Sequence, residues 1–141
     1  MSIPSDMKRF NQEIAEEYRA NGGQLSGRMA GSRLLLLTTI GARSGRSHIT
    51  PLGYGVDGER LIVIASNNGA TGHPDWYFNL VASRDATVEL GNERFSARAT
   101  IIEGDERERM LPLVRERLPF FAGQEAKTAR QIPIVILERV G

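Results

Sequence analysis

No cysteine occurs in the 141 residues, which excludes disulfides, iron–sulfur clusters and thiolate zinc sites. Histidine is nearly absent as well. His48 and His73 lie far apart with no carboxylate–histidine motif, so no metal site is expected. Lysine is scarce, with Lys8 and Lys127 standing against sixteen arginines, and the formal net charge is only +1. That balance lacks the basic excess of a general polyanion binder, so no nucleic-acid partner is expected. No apolar run approaches the ~20 residues needed to cross a bilayer. The N-terminus, MSIPSDMKRFNQEIAEEYRANGG, lacks the apolar core of a secretory signal, which points to a cytoplasmic protein. Familiar catalytic patterns are missing too. There is no Gly-x-Ser-x-Gly elbow and no P-loop, Ser47-His48 has no acid placed to complete a triad, and paired carboxylates occur only in the solvated stretch GDERERM. If the chain is an enzyme, its reactive group comes from a cofactor.

What is present reads as one domain behind a helix. Ser5 or Asp6 can cap a helix to about Ala20, stopped by Asn21-Gly22-Gly23. Met7, Phe10, Ile14 and Tyr18 fall on one face of it. Residues 1–22 are therefore read as an N-terminal amphipathic helix. It is a candidate lid or membrane-surface contact hinged at Gly22-Gly23, or else it docks on its own domain. Residues 23–141 form the single remaining domain. SRLLLLTTI has the length and continuity of a strand buried on both faces. HITPLGYGV and RLIVIAS flank a DGE turn, and ATVELG and NERFSARATIIE flank Gly91-Asn92. HPDWYFNLVAS reads as a short helix, DERERMLPLVRERL as a helix bent at Pro112, and IPIVILERV as a last strand. About six strands, mostly antiparallel and joined by short turns, give an α+β fold: a small closed or half-closed barrel with flanking helices.

Two stretches are built to hold something. In TTIGARSGRSHITP, the run Arg43-Ser44-Gly45-Arg46 has the parts of a phosphate cradle. Arginine pairs phosphate oxygens with a planar fork, and glycine lets backbone N–H groups approach an anion. The plain alternative is an exposed hairpin with solvated arginines. In ASNNGATGHPDWYFNL, a strand ends in small hydrogen-bonding groups and the chain soon enters a helix containing Trp76. That suits the edge and face of a flat heterocycle. The alternative is an ordinary connection with a tryptophan in the core.

Taken together, NGG, LLLLTTIGARSGRSHITPL, ASNNGATGHPDWYFNL and IPIVILER resemble the deazaflavin-dependent nitroreductase family, in order and with matching gaps from Gly22 to Glu138. The resemblance implies a split β-barrel of the pyridoxamine-phosphate-oxidase type that binds coenzyme F420. It assigns the cofactor's phosphate and tail to Arg43, Ser44, Gly45 and Arg46, with His48 and Pro51 on the strand beyond. It assigns the ring contacts to Ala65, Ser66, Asn67, Asn68 and Gly69, and the neighbouring helix positions to Trp76 and Asn79. Tyr54, Phe120, Phe121 and Gln124 fall where an acceptor would bind, and Tyr54 is the one candidate for a direct catalytic part. The two phenylalanines either face the acceptor or lie buried behind the helix. Relatives that reduce bulky nitroimidazoles carry tyrosines before the last strand, so quinones, enones and unsaturated lactones are the expected acceptors and nitro compounds poorer ones. The alternatives are a non-catalytic flavin, deazaflavin or lipid binder on the same barrel, and an FMN-dependent oxidase.

Overall fold

The computed structural model describes residues 7–24, 33–67 and 72–140, with side chains from Asn11 onward. Ser5, Asp6, Asn68 and Gly69, and the side chains of Met7 and Phe10, lie outside the described residues. The chain runs α1 (Met7–Ala20), β1 (Leu34–Ile40), β2 (Ser47–Gly53), β3 (Gly55–Asp57), β4 (Arg60–Ile64), α2 (Asp75–Ala82), β5 (Asp85–Leu90), β6 (Glu93–Ile102), α3 (Gly104–Arg117), α4 (Phe120–Glu125) and β7 (Ile134–Arg139). All seven strands belong to one sheet in the order β2-β1-β5-β6-β7-β4-β3, and every pairing is antiparallel. The count is seven rather than six because HITPLGYGV breaks at Tyr54 into two strands. Those two strands are the opposite edges of the sheet, and one residue separates them. A flat sheet cannot satisfy that connection, so the sheet must curl until its edges nearly meet, a half-closed barrel.

Alternation along the strands decides what each side covers. Leu35 and Leu37 of β1, Val63 of β4, Val88 of β5 and Val135 of β7 are fully buried and meet inside the barrel. Leu36, between the two inward leucines, points outward beneath α1, against Ala15 and Tyr18. Ile62, Ile64, Ile134 and Ile136 point outward beneath α3 and α4, against Met110, Val114, Leu118 and Phe121. The expected two-sided burial of the leucine run follows from this: one face lines the barrel and the other is roofed by a helix. Each fully buried leucine or isoleucine contributes about 1.5–3 kcal/mol. α2 closes the interior by inserting Trp76 and Leu80, spaced i, i+4, among the inward residues.

α1 departs from the hinged-lid expectation. The Tyr18 hydroxyl, on a side chain only 1% exposed, donates to the Leu34 carbonyl at 2.9 Å and accepts from the Gly91 N–H at 2.8 Å. Burial raises the pKa of this phenol, the Gly91 N–H partly opposes that, and Tyr54 and Glu89 add to the rise. Arg19 forks onto both oxygens of Glu89 at 2.7 Å, and this pairing holds the Glu89 carboxyl below its usual range. Gly22 and Gly23 have φ of 63° and 96°, and the Gly23 N–H closes onto the Tyr18 carbonyl at 2.8 Å. That is a helix stop, with left-handed residues satisfying the last carbonyls. The second half of α1 is thus core, fastened to the β1 and β5 ends. α3 continues through Pro112 to Arg117. Among the described residues, no helix is long and apolar enough to cross a membrane.

Candidate functional site

Strand register places the Arg43–Arg46 loop and the Ala65–Asn67 turn at one end of the barrel. Thr39 and Ile40 end β1 beside Ser47 and His48, while Ile64 of β4, Ile102 of β6 and Ile134 of β7 are in register across neighbouring strands. The Gly41–Arg46 loop, the turn after Ile64, the start of α3 and the segment before β7 therefore all leave from the same rim. α2 closes that rim.

The loop is fixed by its own hydrogen bonds. The Gly41 N–H donates to the Arg46 carbonyl at 2.7 Å, the Gly45 N–H to the Gly41 carbonyl at 3.0 Å, and the Arg46 N–H to Ser44 Oγ at 3.2 Å. Gly45 sits at φ 70°, where an L side chain is strained. A Cβ on Gly41 would stand 2.5 Å from Ser44 Oγ and 2.9 Å from His48 Nε2, so only glycine lets those groups fold over it. Ser44 Oγ lies 3.4 Å from His48 Nε2. The N–H groups of Arg43 and Ser44, and the guanidiniums of Arg43 and Arg46, have no acceptor among the described residues. An ordered, exposed loop with unspent donors and two free cations suits a phosphate.

Asn79 holds this loop from below. Only 7% exposed, it accepts the Ala42 N–H on Oδ1 at 3.0 Å and donates Nδ2 to Thr39 Oγ1 at 3.1 Å. Both amide atoms of the asparagine expected beside the cofactor are therefore spent on the loop backbone and a threonine. Trp76 also turns inward, 5% exposed within the barrel core, and offers no free face to a ring.

The second stretch is the turn after β4. Ala65 and Ser66 are buried, and Asn67 takes φ 49°, a left-handed conformation asparagine tolerates, with its Nδ2 donating to the Gly72 carbonyl at 3.1 Å. The Ala65 N–H donates to the Pro133 carbonyl at 3.0 Å. Arg130, unmarked in the sequence reading, organises this turn. Its Nη2 donates to the Ala65 carbonyl at 3.1 Å and the Ser66 carbonyl at 2.6 Å, and its Nη1 meets His73 Nδ1 at 2.8 Å. Burial and the adjacent Arg130 push the His73 pKa down, and because a guanidinium can only donate, Nδ1 is the acceptor of that bond. His73 also stacks against Tyr77 and Phe78, with ring centroids 4.9 and 5.8 Å away. No local signal marked Arg130, since its partners lie more than fifty residues away.

The predicted acceptor residues are scattered. Phe121 of α4 is fully buried against the sheet with Val114 and Leu118, so its ring is not open to an acceptor. Phe120 is 43% exposed, with its ring against Gly53 at the far end of β2. β2 has seven residues, so that end lies about 20 Å along the strand from the Arg43–Arg46 loop. Tyr54 is half-buried at the β2–β3 break and packs on the barrel core. Gln124 is half-buried, and its Oε1 finds no hydrogen-bond partner among the described residues. Pro51 pairs with Leu36 on the edge strand, a place where a missing N–H costs little.

Comparison with known proteins agrees with this architecture. Residues 10–139 match the model of the F420H(2)-dependent quinone reductase family. An F420H(2)-dependent quinone reductase of Mycobacterium tuberculosis is 32% identical over 126 residues, covering 86% of this chain and 85% of its own. The solved structure of an F420-H2 dependent reductase, FDR-A, superposes with a TM-score of 0.67 and 36% identity over 75% of this chain and 94% of its own. A Listeria innocua protein assigned as a pyridoxamine 5'-phosphate oxidase shares the fold, with a TM-score of 0.52 at 10% identity, over 77% of this chain and 85% of its own. The split barrel, the ordered arginine loop at its rim and the match along nearly the whole chain lead to one assignment: the chain belongs to the F420H(2)-dependent quinone reductase family.

Proposed function

We propose that the protein transfers a hydride from reduced coenzyme F420 to flat, electron-poor acceptors, quinones first, with enones and unsaturated lactones in the same class. The observation that carries this reading is the Gly41–Arg46 loop, ordered by its own bonds and by Asn79, with donors left over for an anion. A phosphate-bearing cofactor fits it. Arg43 and Arg46 would hold the phosphate, joined by the Arg43 and Ser44 N–H groups, with Ser44 Oγ and His48 at the side. The turn Ala65–Asn67, with Asn68 and Gly69 beyond it, would meet the ring edge through backbone polar groups, and Arg130 fixes its shape. When bound, the reduced cofactor supplies the hydride; the chain's part is to bind, orient and shield it.

Tyr54 and Phe120 sit at the end of β2 away from the arginine-loop rim, so this proposal gives them no contact with the acceptor. Gln124, half-buried on α4, is the remaining acceptor-side candidate. The small-molecule partners suffice for the reading. Ala15 and Tyr18 of α1 are spent on Leu36, which argues against a membrane role for that half of the helix. The test is turnover. Adding menadione to protein and reduced cofactor should restore the oxidised cofactor's absorbance, and a nitroimidazole should do so more slowly. Binding without turnover would favour a non-catalytic carrier, and preference for FMN would favour an oxidase. Equal rates with the nitroimidazole would remove the acceptor preference.

A further inference from the structure

A cavity of about 230 Å³ opens at the same rim, with His73, Tyr77, Ile101, Arg107 and Pro133 among its walls. Arg130 borders it too, but that guanidinium is spent on His73 and on the Ala65 and Ser66 carbonyls. Through this clamp the cavity lies directly beside the turn assigned to the cofactor's ring edge. Much of the lining is apolar. Tyr77, Ile101 and Pro133 line it, and His73 packs on Tyr77 with ring centroids 4.9 Å apart, so one wall is aromatic. Arg107 is the polar point. It is only 6% exposed, and its one side-chain hydrogen bond among the described residues runs from Nη1 to the Ile132 carbonyl at 2.6 Å. Its Nε and Nη2 have no acceptor among the described residues, and the cavity is where one can be supplied. Leaving donors of a buried group unmet is costly. Glu103 lines the same cavity, and its carboxylate stands against an anion there. What suits the space is a neutral ring carrying a carbonyl oxygen.

We propose that this cavity takes the acceptor, a one- or two-ring quinone, with its ring against the His73–Tyr77 wall and one carbonyl oxygen accepting from Arg107. The inference rests on the reductase reading for what the ligand is, and adds where it binds and which side chain polarises it. A cavity of about 150 Å³ holds benzene, so this volume suits a quinone head and leaves a long tail outside. In the reduction the quinone gains one hydride, delivered by the reduced cofactor, and one proton from water, and it leaves as the hydroquinone. Negative charge grows on the carbonyl oxygen as the hydride arrives, so a charged donor already in place there strengthens its bond. Arg107 remains a donor throughout and gives up no proton.

The binding experiment adds menadione to the intact chain without cofactor, and the chain has no cysteine for the quinone to alkylate. Backbone amide resonances and the infrared carbonyl stretch of the bound quinone are followed. Menadione should give saturable shifts centred on Ile101, Ile102, Gln131 and Ile132, and its carbonyl band should fall below its position in water. Arg107→Met should weaken binding about tenfold and remove the lowered band, and Arg107→Lys should restore part of both. Should Arg107→Met fail to fold, Gln131→Trp, at an exposed lining position, narrows the cavity and should weaken menadione several-fold. The Arg43→Ala, Arg46→Ala variant should leave menadione binding unchanged. With reduced F420 added, Arg107→Met should lower kcat/KM for menadione while cofactor affinity holds. Menadione bound here without turnover would overturn the reductase reading and leave the pocket standing. Turnover with no shifts at these residues, or an affinity and carbonyl band indifferent to Arg107→Met and Gln131→Trp, would overturn the pocket.

Discussion

The Gly41–Arg46 loop and the Ala65–Asn67 turn share a rim, yet arginine plays opposite parts in them. In the loop, Arg43 and Arg46 have no acceptor among the described residues, and the backbone's own hydrogen bonds and Asn79 keep the loop in place. At the turn, Arg130 is consumed by two carbonyls and a histidine nitrogen and serves as the fastening itself. Residue type alone does not distinguish a ligand-binding arginine from a structural one. What distinguishes them is whether the protein has already supplied the acceptors.

The sharpest way to break this contrast is the Arg43→Ala, Arg46→Ala pair. A charge-assisted hydrogen bond is worth about 1.5–3 kcal/mol, so losing one from each arginine should weaken cofactor binding by about 10²- to 10⁴-fold. The thermal midpoint should hardly move, and calorimetric binding beside a melting curve reads both. A large loss of stability with intact affinity would reverse the roles assigned here. Arg130→Met should do the opposite first. It orphans two carbonyls and a ring nitrogen, an expected cost of about 2–4 kcal/mol and a Tm lower by roughly 10 °C. Any affinity loss should follow from the disordered turn.

Asn79→Leu tests the clamp beneath the loop. It fills similar space but leaves the Ala42 N–H unsatisfied, so cofactor affinity should fall about tenfold, with a stability loss of about 1–2 kcal/mol. Asn79→Asp keeps the acceptor for Ala42 and should recover part of the affinity if position, not contact, is what Asn79 provides. The smallest effect concerns pH. The folded His73 pKa lies below its unfolded value, so the unfolded chain binds the proton more readily. Stability is then fully present above the ordinary histidine value of about 6.5 and declines as pH falls below it toward the folded pKa. Melting curves of wild type and His73→Gln at neutral pH and near pH 5.5 should differ only in the acid, apart from the lost ring contacts.

The fold was legible where periodicity was strong. The leucine run, the DGE and Gly91-Asn92 turns and the Trp76–Leu80 spacing each carry their own geometry. The seventh strand was not legible, because nothing in LGYGV marks a break that only barrel curvature requires. At the site, the arginine loop could be read because its parts are contiguous. Arg130 could not, since its partners come from a different strand end. Of the two readings open for Phe121, burial holds, and a signal for it existed: Val114, Leu118 and Phe121 repeat at four and three residues, the spacing of a buried helical face. The pairing of Phe120 with Phe121 concealed that one points out and the other in.

The seam at Tyr54 has a consequence for synthesis on the ribosome. β7 lies between β6 and β4 in the sheet, yet it is made after both. Without β7 the available pairings are only β2-β1-β5-β6 and β4-β3, two pieces linked through Tyr54 and the α2 connection. Each offers an unfilled edge, one on β6 and one on β4, of the kind that recruits strands from other chains. The rim that carries the arginine loop and the Arg130 turn is thus joined through the strand made last, so a chain cut short before IVILER should lack the site.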